Sequence, residues 1–228
     1  MRMGATVSAV VLCAASVANA QPVRSPDVRL PGRFEVSAGA LWVGQASFGT
    51  RDAIETSLRG SSFRLFSTAS RLGAATAAEM RIGIRLTRLL QGEATGSFAA
   101  PVLTTTVSAD AENSNGATAT DRVEQFTIGG ALIVHVTRWH AGARGVPFLM
   151  AGAAYLREIH EGHTLIVGGR SYEAGGGVKF ALVAAPHGVV KWVGARAEVR
   201  ARARTKGVAL DRRTHVAPVA AASLFVRF

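Results

Sequence analysis

Cysteine occurs once, at Cys13, and no apolar run is long enough to form a membrane-spanning helix. Such a helix takes roughly 20 apolar residues. Beyond the first twenty positions the most apolar windows, 128–136 and 148–155, hold fewer than ten each, so a helical membrane protein is excluded. The first twenty residues read as an export signal: Arg2, then an uncharged apolar run over 7–18, then Ala18-Asn19-Ala20 as a small-x-small cleavage site. Leu12 before Cys13 is bulky where a lipoprotein signal wants a small residue, which argues against that alternative. Cleavage after Ala20 removes the one cysteine, so the mature chain can form neither an intramolecular disulfide nor a Cys-ligated metal site.

What remains is apolar without being helical. Hydrophobic residues make up 48 % of the chain and glycine supplies 25 positions of 228. An exported, disulfide-free chain of this composition has to hide its apolar surface in a soluble core or in lipid.

Period two decides which. Successive strand residues face opposite sides of a sheet. Ala78, Met80, Ile82, Ile84 and Leu86 fall on one face, opposite Glu79, Arg81, Gly83, Arg85 and Thr87. Val193, Ala195, Ala197, Val199 and Ala201 fall opposite Arg196, Glu198, Arg200 and Arg202. Tyr172, Ala174, Gly176, Val178 and Phe180 fall opposite Glu173, Gly175, Gly177 and Lys179. Phe34, Val36, Ala38, Ala40 and Trp42 fall opposite Glu35, Ser37 and Gly39. Apolar residues at three- and four-residue spacing, which a helix requires, are missing from these stretches.

Eight such segments are expected, over 33–44, 76–89, 93–107, 122–138, 146–158, 164–182, 190–204 and 214–228. The third changes phase near Pro101, which suggests a bulge. The fifth is apolar on both faces, Leu149, Ala151, Ala153, Tyr155 against Phe148, Met150, Gly152, Ala154, so its orientation stays open. The connections near 90–92, 139–145 and 183–188 are short, whereas 45–75, 108–121 and 205–213 are longer and polar; 159–163 is the short exception. Short turns at one end and long loops at the other is the pattern of an outer-membrane barrel, with both termini periplasmic. That topology sorts Phe34, Trp139, Phe148, Phe180, Trp192 and Phe228 to the periplasmic rim. Trp42, Phe48, Phe126, Tyr155 and Tyr172 go to the outer rim, as interfacial girdles require.

The last residues, Ala222-Ser223-Leu224-Phe225-Val226-Arg227-Phe228, resemble the closing strand of bacterial outer-membrane proteins, with a terminal Phe228 preceded by Val226 and Leu224 at alternate positions. With the leader and the eight segments, the chain resembles the small bacterial outer-membrane β-barrel superfamily, which includes the transmembrane domain of outer-membrane protein A. The resemblance implies that the barrel-assembly machinery reads Leu224, Val226 and Phe228. The expected organisation is therefore a signal peptide (1–20), a periplasmic N-terminal segment (21–32) and an all-β, eight-stranded antiparallel up-and-down transmembrane barrel (33–228). The expected location is the outer membrane of a Gram-negative-type bacterium, and the expected state is a monomer.

Eight strands leave an interior just wide enough for side chains. The residues expected to fill it are Glu35, Glu79, Glu93, Glu173 and Glu198 against Arg81, Arg85, Lys179, Arg196, Arg200 and Arg202, a near balance that suggests a salt-bridged plug. Glu173–Arg200 is the first pair expected. A gated ion path through the plug is the functional alternative to simple packing. Bases outnumber acids 26 to 15, and Arg204, Lys206, Arg212 and Arg213 cluster around the last external loop, where lipopolysaccharide phosphates are the available anion. Nucleic acid is the wrong compartment.

Other chemistry is poorly supported. Gly83, Gly129, Gly152, Gly175 and Gly177 lack the strand–loop–helix context of a phosphate loop and fit crowded strands better. His160 and His163 could hold a metal, but their spacing in a hairpin turn is not that of a helical ligand pair. His135 is expected in the lumen, His140 and His187 in periplasmic turns, and His215 near the outer rim without an evident Ser and acid partner. No metal, cofactor or catalytic constellation is expected. The leading expectation is a structural or surface-interaction role, with a minor channel for small solutes as the alternative and a soluble ligand carrier as a weaker third.

Overall fold

The computed structural model describes residues 32–57, 60–108, 116–136, 145–160, 166–184, 189–206 and 214–228. The expected leader and nearly all of the expected N-terminal segment lie outside them, as do Trp139, His140, His163 and His187. Among the described residues every regular element is a strand. They are β1 (Phe34–Val43), β2 (Ala46–Thr56), β3 (Ser62–Leu72), β4 (Ala75–Arg85), β5 (Leu90–Ala99), β6 (Val102–Ser108), β7 (Ala117–His135), β8 (Gly145–His160), β9 (Ile166–Ala184), β10 (Trp192–Lys206) and β11 (His215–Arg227).

Three pairs of these strands are single staves with a short interruption: β1 with β2, β3 with β4, and β5 with β6. Counted that way there are eight staves, all antiparallel to their neighbours. The ring runs β1–β4–β5–β7–β8–β9–β10–β11 and closes where β11 pairs β1, Glu35 lying opposite Arg227 and Val43 opposite Val219. The β7–β8 pairing, from Val123↔His160 to His135↔Phe148, completes the circle. Among the described residues no strand of this ring is left as an edge, which is what hydrocarbon demands of backbone donors and acceptors; β2, beyond the ring, pairs on one side only.

The facing is inside out relative to a soluble barrel. Ile82, Ile128, Val199 and Leu224 are 63 %, 73 %, 65 % and 61 % exposed, while Arg196 and Glu198 are 2 % and 4 % exposed. The soluble-carrier alternative needed the reverse. β8 resolves its ambiguity in the same sense: Phe148, Met150 and Leu156 are buried inside, and Leu149, Ala151 and Tyr155 face out.

Several expectations need correction. The stretch 45–75 is not a loop but the hairpin of β2 and β3, which continues two staves beyond the apolar belt. It pairs onward with β6, and β6 with residues 117–122 of β7, forming a four-stranded blade. Above the membrane both faces of such a blade meet water, so the apolar alternation that betrays a strand disappears. For the same reason β7 begins at Ala117 rather than 122. A membrane crossing takes roughly 9–11 residues, and β7 has 19.

The irregularity expected at Pro101 lies elsewhere. Glu93, Ala99, Pro101 and Leu103 are buried and Phe98 and Val102 exposed, so β5 and β6 keep one facing. The phase changes instead in the neighbouring staves, between inward Val43 and inward Ala46, and between inward Leu72 and inward Ala77. Gly44 N donates to Pro218 O and Gly73 N to Val102 O, each at 2.8 Å, which holds the two slips in place. A Cβ at Gly44 would stand 2.7 Å from the Pro218 ring, so the first slip needs glycine. Two of the aromatics assigned to the girdles also move. Phe48 and Phe148 are each 2 % exposed and point inward; Phe34, Trp42, Phe126, Tyr155, Tyr172, Phe180 and Phe228 do face outward.

Close contact of β9 and β10 depends on the missing side chains of Gly175 and Gly177. A Cβ at either would lie 2.2 Å from a backbone oxygen of β10, Val199 O or Ala197 O. Gly96, in contrast, faces open space. Gly177→Val is expected to destabilise the barrel by about 1–3 kcal/mol or more through overpacking. Gly96→Ala should shift stability by no more than ~0.5 kcal/mol. Urea titration of the fraction migrating as folded on an unboiled gel checks both, and equal midpoints would contradict this account of the β9–β10 contact.

Candidate functional site: the ion-pair column of the interior

Alternation places every second residue of each stave in the lumen, and the staves bring cations and acids from distant parts of the chain to one axis. They form a single alternating series. Arg227 pairs with Glu35, and Glu35 with Lys179 Nζ at 2.5 Å. Lys179 lies 3.5 Å from Glu93, and Glu93 accepts from Arg196 Nη1 at 2.8 Å. Arg196 Nη2 lies 2.6 Å from Glu198, and Glu198 lies 2.5 Å from Arg81 Nη2. Arg81 also holds Glu79 at 2.5 Å, Glu79 takes Arg200 at 3.0 Å, Arg200 takes Glu173 at 2.6 Å, and Glu173 takes Arg202 at 2.6 Å. Each acid in this series stands between two cations. A further pair, Arg204 with Glu158, sits above it, and Gln125 Nε2 donates to Glu158 at 2.7 Å.

The pairing is what makes the interior tolerable. Desolvating an unpaired ion costs several kcal/mol, and the attraction offsets this only with good geometry and further hydrogen bonds. Arg196 has both: Nη1 donates to the two Glu93 oxygens at 2.8 and 2.9 Å, Nε donates to Glu198 at 2.7 Å, and the guanidinium stacks 4.5 Å from the Phe148 ring centre. Lys179 lies within 5.8 Å of the Phe148 and Phe225 ring centres. Inward-facing Phe148 is therefore a cation platform, which explains its departure from the girdle. Gln91 ties the lower end together, donating to Glu93 at 2.9 Å and to Glu35 at 3.3 Å while its oxygen lies 3.2 Å from His135 Nε2. Arg200 Nε lies 3.1 Å from Glu198 but is not aligned for a hydrogen bond, so that contact is Coulombic only.

Of the residues expected in the lumen, Glu35, Glu79, Arg81, Glu93, Glu173, Lys179, Arg196, Glu198, Arg200 and Arg202 all lie in this column. Arg85 is the outlier. It is half-buried at the last position of β4, at the rim beside Arg33, and makes no salt bridge with a described residue. Arg204 is a correction. It was expected among the external cations, yet it is 6 % exposed, paired with Glu158 and set 5.6 Å from the Phe48 ring. The strand β10 simply continues beyond the expected loop boundary, and Arg204 keeps the inward phase of Arg200 and Arg202. Lys206 ends β10, and Arg212 and Arg213 lie outside the described residues.

Sequence reasoning missed Arg227, Gln91, Gln125 and Glu158. Arg227 carried a readable signal, since it alternates with Val226 and Leu224 in the terminal motif, and Leu224 is outward. Glu158 ends the fifth expected segment, beside the turn whose His160 is a possible metal ligand. It is fully buried in β8, and His160 Nδ1 lies 2.5 Å from Asp121. Among the described residues no three metal-ligating side chains cluster. His215 packs edge-on against Phe48 at 5.3 Å.

No family model matches the sequence, and no curated protein does. Among solved structures the fold is similar to Neisserial surface protein A, with a TM-score of 0.51 at 15 % identity, covering 86 % of this chain and 97 % of that one. A second similar structure is the outer membrane protein OprG from Pseudomonas aeruginosa, with a TM-score of 0.48 at 10 % identity, covering 86 % and 96 %. The chain has the fold of the small outer-membrane β-barrels: all-β, antiparallel, eight staves, closed.

Removing one acid from the middle of the column leaves the dry interior one negative charge short. Glu198→Gln is expected to cost up to about 3–5 kcal/mol, because Arg81, which keeps Glu79 and Glu93, and Arg196, which keeps Glu93, each lose a charged partner. Replacing the pair together, Arg196→Met with Glu198→Leu, should recover a substantial part of that loss. Denaturant unfolding of the refolded barrel in detergent compares the variants, and a double variant no more stable than Glu198→Gln would refute the pairing argument.

Proposed function

We propose that this chain is an integral outer-membrane protein whose barrel is a sealed support, and whose task is structural or a matter of surface interaction rather than catalysis. The ion-pair column carries this reading. A water-filled path would have to run along the lumen axis, where the series from Arg227 to Arg202 lies. Above it, on the β1–β4–β5 side, Leu41, Ala77, Ala99 and Val219 form an apolar layer, and Phe48, Leu72, Leu103, Val123 and Ala217 form another. A void bordered by Thr127, Leu156, Ser171, Arg202 and Arg204 measures about 10 Å³, at most the room of one water.

The blade of β2, β3, β6 and the start of β7 is the surface we assign to interaction. Ile54, Phe63 and Phe66 are exposed on it, where bulk water rather than lipid would surround them. Large apolar side chains held in water on both faces of a sheet suit a protein or glycan contact. The remaining assignments follow from the reading. The leader directs export, Leu224, Val226 and Phe228 present the closing strand to the assembly machinery, and the barrel stands as a monomer in lipid and lipopolysaccharide. Lys206, Arg212 and Arg213 stay as cations toward the lipopolysaccharide headgroups.

Planar-bilayer recording of the purified barrel tests the seal. The expected record shows no stable long-lived conductance steps in the native protein, and steps after Glu198→Gln loosens the column. A large, stable open level in the native protein would instead establish the minor solute channel. Recovery of a heat-modifiable band from the outer-membrane fraction tests the location.

A further inference from the structure

The interior leaves almost no cation without an acid; the outer wall does not. Cross-strand register places Ile128, Tyr155 and Arg170 in one row across β7, β8 and β9, and Gly130, Ala153 and Tyr172 in the next row toward the periplasm. One row further out stand Phe126, Arg157 and Gly168. Tyr155 leans outward over Gly168, whose added Cβ would come within 2.7 Å of the Tyr155 hydroxyl. Leaning that way, it uncovers Ala153. The result is a depression of about 260 Å³ on the lipid-facing wall, bordered by Ile128, Ala153, Tyr155, Arg170 and Tyr172. Small residues continue it toward the membrane centre, since Ala151 lies opposite Ala174.

At its outer end Arg157 and Arg170 are both exposed, and neither makes a salt bridge with a described residue. Glu124, outward on β7, pairs with neither. The two tyrosines mark the depth of the membrane interface, where amphipathic rings settle. An apolar trough just below that depth, with two unpaired guanidinium groups just above it, matches a ligand with an alkyl chain and a phosphate at its head. Guanidinium binds phosphate bidentately, and such charge-assisted bonds are among the stronger ones.

We infer that the trough between β8 and β9 is a binding site for one acyl chain of a phosphorylated outer-leaflet glycolipid, with Arg157 and Arg170 holding a phosphate. The inference rests on the outer-membrane reading above, because only the external leaflet brings that headgroup to this end of the barrel. It adds a lipopolysaccharide contact on the wall to the one proposed for the cations of the last loop.

Native mass spectrometry of the folded full-length barrel in detergent tests it, with purified lipid A, dephosphorylated lipid A, phosphatidylglycerol and inorganic phosphate as the added probes. Lipid A should be retained as a single equivalent, about tenfold more tightly than its dephosphorylated form. Arg157→Gln with Arg170→Gln should weaken retention by about tenfold. Ala153→Trp should do so too, by filling the trough with both charges in place. Arg88→Gln, which removes an exposed cation from the turn between β4 and β5 at the other end of the barrel, should leave retention unchanged. Equal loss in Arg88→Gln, equal retention of phosphatidylglycerol, displacement by inorganic phosphate, or no effect of Ala153→Trp would each overturn the site. Heat modifiability of every variant and fractionation of the native protein separate the two levels. A folded barrel from the outer membrane that retains no lipid A refutes the site alone, whereas absence from that membrane overturns both.

Discussion

A polar group placed in hydrocarbon has to find its partner within the protein. That constraint shapes this molecule twice. The backbone meets it by closing eight staves on themselves, β11 onto β1 and β7 onto β8, so that the barrel has no open edge. The side chains meet it by alternating charge along the lumen, each acid between two cations, with Glu35–Lys179, Glu198–Arg81 and Glu79–Arg200 joining staves far apart in sequence. Glu35 and Arg227 are nearly the whole described chain apart, and their pairing lies on the seam where the ring closes. The column is therefore a lock on closure as much as a filling.

This arrangement explains why the interior is charged when an apolar one of the same volume would avoid the desolvation cost. Outward faces must be apolar to meet lipid, so an apolar lumen would make strands greasy on both sides. Such strands lose the alternation that fixes their facing and register. The charges specify which side is in. β8 is instructive because it comes closest to losing that information. Its inward Phe148, Met150 and Leu156 are as apolar as its outward face, and Glu158 near its end carries the polar mark. Its neighbours fix it: Phe148 serves the cations of β9 and β10, and Glu158 takes Arg204.

Beyond the belt the physical demands change. The blade of β2, β3 and β6 is hydrogen-bonded like the barrel but is not required to be apolar outside or polar inside. Its residues therefore read as loop, and the 45–75 stretch was illegible for that reason. The wall trough was illegible for another. Ala153, Tyr155, Arg170 and Tyr172 each look like ordinary girdle or lipid-facing residues in their own strands. Only the cross-strand register sets them side by side, with Arg157 one row further out, and neither arginine makes a salt bridge with a described residue.

The sequence alone determined the class of fold, the inward set of charges and the outward belt, because a two-residue period is a property of each strand taken singly. Glu173 and Arg200 could even be matched in advance, since one hairpin joins their strands. Tertiary structure alone decided which ions share which partners across the lumen, that Arg204 and Phe148 turn inward, and where the two phase slips fall. Those outcomes depend on strand tilt, on stagger between staves and on the meeting of first and last strands. These are relations between segments, and no local period encodes them.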